Sequence, residues 1–280
     1  MFSLWKRLNL ARHRLGVQVF ALLALHSSWG PEAKWFCNPV LSCHSCALAW
    51  FACPVGVFIH FSGYRIFPFL ALGMVALLGV LLGRLLCGWV CPFGFLQDLL
   101  FRIRSPKFRL PRWTHAIKYI VLLLTVVAIP FVFGEQTLYS FCRVCPASAL
   151  QVTVPRIVTL GMAAISPAIV VKLAILAGVL VLCVLCTRGF CRLLCPIGAM
   201  LAPFNLFSFW RVRAPGGRCI SCQACDRACP TDDMPSERLT RGIDPSRSLD
   251  CVTCHACARV CRGPQTVEGS EPTPAADRGG

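Results

Sequence analysis

Charge is what this chain has least of. Only 14% of its 280 residues are Asp, Glu, Lys or Arg, and the acidic ones are the scarcer kind, 12 against 28 basic. With 56% hydrophobic residues and a mean hydropathy of +0.65, a soluble domain of ordinary composition is excluded. The net charge of +16 does not support a nucleic-acid reading, because the basic residues stand in short clusters beside apolar runs, where membrane orientation signals sit. No nucleophile–base pair stands out, so no nucleophilic catalysis is legible. Nor does a small-residue cleavage motif follow the first apolar stretch, as it would in a secretory signal peptide.

Cysteine, by contrast, is abundant, 20 in all. Cys219, Cys222, Cys225 and Cys229 form C-x2-C-x2-C-x3-C-P, closed by Pro230. Cys251, Cys254, Cys257 and Cys261 repeat the spacing, with the proline displaced to Pro264. This is the bacterial ferredoxin pattern, in which three thiolates reach one cubane and the fourth cysteine ligates the other. The expectation is one [4Fe-4S] cluster on Cys219, Cys222, Cys225 and Cys261, and a second on Cys251, Cys254, Cys257 and Cys229. Zinc would leave the third cysteine of each triplet and Pro230 without a purpose. Cys251, Cys254 and His255 also spell the haem-attachment pattern, read here as an accident inside the longer repeat.

Four apolar stretches predict four transmembrane helices: about Val17–Ser28, Ile66–Gly83, Tyr119–Gly134, and one starting near Pro167, with Lys172 snorkelling to the outer interface. Phe204, Phe207, Phe209 and Trp210 read as an interfacial aromatic belt. Lys6, Arg7, Arg12 and Arg14 at the start, the connector from Arg102 to Lys118, and the region after Thr187 carry the basic residues. By the positive-inside rule these face the cytoplasm, so both termini lie on the cytoplasmic side of an inner membrane and the other cysteine-bearing loops face outward. The expected fold is an all-α membrane bundle of two related halves with a C-terminal α+β two-cluster ferredoxin domain. Its parts are a basic arm (1–14), a four-helix transmembrane domain (15–210), the ferredoxin domain (211–265) and a disordered tail (266–280).

An internal repeat supports the two halves. The motif R-x2-C-x3-C-P-x-G occurs at Arg84–Gly94 and again at Arg188–Gly198, and each copy follows an outer Cys-Pro, Cys53-Pro54 or Cys145-Pro146. If the halves pack about a pseudo-two-fold axis, Cys87, Cys91, Cys191 and Cys195 converge as one set of metal ligands. Cys37, Cys43, Cys46 and Cys53, with Cys142 and Cys145 nearby, are candidates for another. Room therefore exists for one or two further clusters, with disulfides open as the alternative for the outer cysteines. Cys183 and Cys186 are equally readable as small apolar packing residues.

Paired C-x3-C-P motifs, several predicted spans and a dicluster tail together resemble the membrane-bound 4Fe-4S polyferredoxins of the NapH and NosR type, over roughly Leu15 to Arg262. The cysteine-rich segment Cys37–Cys53 goes beyond that family's minimal pattern. The resemblance implies an electron-transfer subunit, quinol-dehydrogenase-like, with the quinone pool, membrane lipid and a redox protein as partners and no nucleic acid. Two alternatives stay open: a quinol-oxidising enzyme subunit, and a redox-sensing or metal-centre assembly factor. His26, His60 and His115 lie near predicted interfaces within reach of a quinone, though such histidines are more often structural.

Overall fold

The computed structural model describes residues 10–27, 33–43, 45–46, 48–108, 110–134, 137, 139–161, 166–213 and 219–261. Most of the expected basic arm and the expected disordered tail lie outside the described residues. The elements are α1 (Leu10–Leu25), α2 (Pro54–Gly63), α3 (Phe69–Leu82), α4 (Leu85–Trp89), α5 (Pro92–Leu100), α6 (Trp113–Phe133), α7 (Phe141–Val144), α8 (146–160), α9 (Pro167–Leu185), α10 (Gly189–Leu193) and α11 (Pro196–Leu201). Three short helices follow in the tail: α12 (Ala224–Arg227), α13 (Pro235–Thr240) and α14 (Ala256–Val260).

Each Cys-Pro in the first two hundred residues is a helix start. Cys53, Cys91, Cys145 and Cys195 are N-caps with ψ of 124°, 119°, 123° and 112°, and the proline behind each occupies the first helical position. Proline disfavours α geometry in the residue before it and needs no hydrogen-bond acceptor at that position. The dipeptide therefore sets a thiol at the mouth of a helix by local sterics alone.

The two motif copies pack against each other. The Phe93 and Phe190 rings meet edge to face at 4.8 Å between centroids. Gly94 and Gly198 are each required by closeness: a Cβ on Gly94 would come 2.9 Å from the Cys87 carbonyl oxygen, and one on Gly198 would come 3.1 Å from the Cys191 carbonyl oxygen. One hydrophobic core joins the halves to the tail, running from Leu41, Val55 and Val75 through Phe93, Phe190 and Ile197 to Val252 and Cys254.

Two expectations are corrected. The four-span bundle is not observed: among the described residues only α6 and α9 are long and apolar enough to cross a membrane. Each is only 17% buried within the protein, unlike the core helix of a soluble domain. The run Ile66–Gly83 falls short because Pro68 keeps its first residues out of the helix and Gly83, at φ +58°, turns the chain away. The 14 residues that remain in α3 rise about 21 Å, against about 30 Å of hydrocarbon. α1, at 16 residues, is short for the same crossing.

The expected α+β ferredoxin domain is likewise absent. No strand forms among the described residues, where a single bridge, Cys37 to Ala52, is the only β pairing. In the tail, carbonyls that a hairpin would pair are taken by side chains of the rest of the chain. Asn205 Nδ2 donates to Ser248 O at 2.9 Å and Cys251 O at 2.7 Å, an Arg84 Nη donates to Leu249 O at 2.7 Å, and Trp89 Nε1 donates to Thr253 O at 3.1 Å.

Candidate functional site

The cysteines fall into separate groups. Cys87, Cys91, Cys191 and Cys195, two from each motif copy, line one close-walled space together with Arg84, Leu41, Phe93 and Ile197. We call this the proximal cage. All six pairs of its thiols lie close enough for a charge on one to act on the others. Yet among the described residues no three Cys, His, Asp or Glu side chains converge tightly enough to hold a single metal ion. Four thiols, two from each motif copy, are the donor set of a [4Fe-4S] cluster.

The polar surroundings of the cage fit an anionic cluster. Arg84, 1% exposed, lines the space, and its Nε has no hydrogen-bond partner. A buried donor left unmade costs roughly 1–3 kcal/mol. A cluster sulfide or a ligating thiolate would satisfy it. Gln97, 0% exposed on α5, donates through Nε2 to Cys191 Sγ at 3.0 Å and accepts from the Cys191 backbone N–H at 3.4 Å. The Gly198 N–H donates to Cys195 Sγ at 3.4 Å. Arg188, 0% exposed, crosses to the other half, donating to Asp98 at 2.9 and 2.7 Å and to the Cys87 carbonyl at 3.1 Å. Arg14 and Gln18 of α1 close the same carboxylate. Burial alone would raise the Asp98 pKa, but Arg188 and Arg14 hold it below the ordinary carboxylate value.

In the tail, Cys229, Cys251, Cys254 and Cys257 line another close-walled space, the four expected for the second cluster. The first triplet is more open: Cys225 is buried and lies near Cys219, Cys222 is exposed, and Cys261 is half-buried. The two triplets share one backbone shape. Ser221 and Gln223 flank Cys222 at φ 53°, and Thr253 and His255 flank Cys254 at φ 46° and 61°. Left-handed non-glycine residues cost roughly 1–3 kcal/mol each. They turn successive N–H groups into an anion-binding nest, as at other iron–sulfur sites. Burial, with Asp226 alongside, pushes the metal-free Cys225 thiol up to about 11, and burial likewise raises Cys229, Cys251 and Cys257. Ligating metal would reverse that logic. His255 packs between Trp89 and Trp210 and accepts the Trp210 Nε1–H at 3.3 Å, and burial lowers its pKa to about 4, so the haem-like spelling belongs to packing.

Of the six outer cysteines, four come together. Cys43, Cys53, Cys142 and Cys145 line a cavity of about 280 Å³ with Leu41, Ser148, Arg143 and Lys172. Cys37 sits instead beside Ala52 and Met74, and Cys46 is buried outside this lining. Leu41 lines both this distal cavity and the proximal cage. Lys172 lines the cavity and donates to Ser148 Oγ at 2.8 Å. Cys183 and Cys186 are buried outside both linings, in packing positions. His26 is structural, with Nε2 3.1 Å from both Ser42 Oγ and Gln151 Nε2, while Gln151 Oε1 accepts the Cys43 N–H at 2.7 Å. His60 packs on Tyr64, and His115 lies 4.0 Å from Asp250. Sequence reasoning missed Gln97, Asp98 and Gln151; the available signal was a polar side chain inside an apolar run.

Paired thiols from two repeats, buried donors aimed at them and nested cysteine triplets define the class, an iron–sulfur electron-transfer protein. The comparisons agree. The 4Fe-4S binding domain family matches twice, at residues 64–111 and 169–215, over the two motif copies, and the 4Fe-4S dicluster domain family matches residues 211–262. An uncharacterised protein of Methanocaldococcus jannaschii is 30% identical over 176 residues, 59% of this chain and 66% of that protein. The regulatory protein NosR of Pseudomonas aeruginosa is 32% identical over 215 residues, 69% of this chain but 28% of NosR. The protein NirI of Paracoccus denitrificans is 30% identical over 240 residues, 81% of this chain and 31% of NirI. No solved structure matches the chain. The chain belongs to the 4Fe-4S polyferredoxins of the NapH/NosR type.

Proposed function

We propose that this protein is a membrane-embedded relay in which Cys219, Cys222, Cys225 and Cys261, then Cys251, Cys254, Cys257 and Cys229, then Cys87, Cys91, Cys191 and Cys195 each hold a [4Fe-4S] cluster. Such clusters, when bound, supply one-electron steps at potentials set by hydrogen bonds to sulfur and by burial. The observation that carries the reading is continuity: Val252 and Cys254 of the second triplet belong to the same packed core as Cys87 and Cys91 of the proximal cage. Lys118 of α6, with its side chain 0% exposed, reaches Asp250 beside that triplet at 2.5 Å and keeps the tail seated. Two crossings by α6 and α9 would return the chain to the side it left, and the clusters of Lys and Arg favour the cytoplasm for that side. Electrons then pass between a soluble carrier at the exposed first triplet and a redox protein across the membrane.

The test uses the full chain in sealed proteoliposomes, with a low-potential donor outside and a membrane-impermeant one-electron acceptor inside. Wild type is expected to reduce the acceptor. Cys87→Ser with Cys191→Ser is expected to keep both tail clusters by electron paramagnetic resonance and lose delivery. Undiminished delivery would sink the relay.

A second reading, quinol oxidation, is favoured by a cavity of about 590 Å³ where α1 and α5 meet the tail. Phe95, Leu99 and Phe101 make its apolar wall, Arg14, Arg227 and Arg259 its cationic rim, and Cys229 lies against it. Its size suits a small ligand of mixed polarity. Quinol-driven reduction of the tail clusters in the purified chain supports this reading, and inert clusters under excess quinol dismiss it.

A further inference from the structure

We propose that Cys43, Cys53, Cys142 and Cys145 hold a fourth iron–sulfur cluster, on the side of the proximal cage away from the tail. The inference extends the relay reading by one centre. None of the four lies within the regions matched by either 4Fe-4S domain family.

The distal cavity is assembled on the same plan as the proximal cage. Each takes one Cys-Pro cysteine from either half: Cys91 and Cys195 in the cage, Cys53 and Cys145 in the cavity. Each adds one further cysteine from either side, Cys87 and Cys191, or Cys43 and Cys142. All six pairs among Cys43, Cys53, Cys142 and Cys145 lie within electrostatic reach of one another. The donor set is four soft thiols around a space, which selects an iron–sulfur cluster over a hard cation.

Charge is the independent argument. Lys172 stands one to two turns into a membrane-crossing helix and turns its ammonium to the cavity wall. Cys145, Cys43 and Cys142, once ionised, would attract it, while Arg143 at the same wall repels it. Four thiolates around a cluster carry net negative charge, and Lys172 with Arg143 supplies the compensating cations at the same wall. A disulfide pair would be neutral and would leave Lys172 facing nothing anionic.

The position makes it a terminal. Leu41 is a wall of both sites. Lys172 at the distal level and Cys183 near Cys191 stand about 16 Å apart along α9 at 1.5 Å per residue. The cluster would therefore sit at the end of the bundle opposite the tail, where a partner on that face exchanges electrons.

The experiment counts iron and acid-labile sulfide in the full chain purified without oxygen. Cys53→Ser with Cys145→Ser is expected to lose about four irons and about four sulfides per chain while the tail signals persist. Cys37→Ser with Cys46→Ser is expected to lose none. An unchanged count in the first variant, an equal loss in the second, or a Cys53–Cys145 or Cys43–Cys142 disulfide found by mass spectrometry overturns the fourth cluster and leaves the three-centre relay standing. If the first variant fails to assemble, Lys172→Met decides. One cluster signal should move to a more negative midpoint potential at constant iron content, and titrations that superimpose on wild type overturn the proposal.

Discussion

Gln97 and Leu201 occupy the same position in the two motif copies, and both are 0% exposed. Only the first carries a donor, which bonds Cys191 across the pseudo-symmetry at 3.0 Å. An N–H to a ligand sulfur favours the reduced, more negative cluster and so raises its potential. Gln97→Leu, which makes the two copies alike, is expected to shift the proximal centre to a more negative midpoint potential with unchanged iron content. An unshifted redox titration would remove Gln97 from the tuning role. Sequence could identify the cysteines but not this residue, because a glutamine five residues before a basic connector reads as an interfacial polar group until packing shows it buried against sulfur.

At the scale of elements, the tail chooses one of two similar seats. The residue after the first cysteine is Gly88 in one copy and Arg192 in the other. A Cβ on Gly88 would lie 2.2 Å from the Val252 carbonyl oxygen, a backbone atom that cannot swing aside. Arg192 fills the equivalent place and instead reaches Asp232 at 3.8 Å. Gly88→Ala is expected to unseat the second triplet while both tail clusters remain, with faster hydrogen exchange over 248–253 as the readout. Protection equal to wild type would show that the seat has slack. The Lys118–Asp250 pair holds the same seat, and breaking a buried pair costs about 3–5 kcal/mol. The four predicted spans became two for an equally local reason: hydropathy counts apolar residues, while Pro68 and Gly83 decide how many of them are helical.

For the whole molecule, a cluster in the proximal cage would be a staple between halves, because its four lining cysteines come two from each copy. Binding that favours only the folded state adds directly to stability. Cys191→Ser and Cys222→Ser are each expected to lose one cluster, but only the first should loosen the bundle. In chains of this size each kcal/mol lost lowers Tm by about 2–4 °C. Equal thermal transitions for the two variants would refute the staple. The same division explains the missing ferredoxin sheet: the tail spends its carbonyls on Asn205, Arg84 and Trp89 rather than on a partner strand.

The sequence by itself determined the chemistry and the repeat. Cysteine spacing, four Cys-Pro helix starts and two R-x2-C-x3-C-P-x-G copies are local signals, governed by sterics within a few residues. Only the tertiary structure decided which of the outer cysteines share a site. Cys43 and Cys53 join Cys142 and Cys145 while Cys37 and Cys46 do not, because that choice depends on how two halves pack across a distance no local pattern encodes.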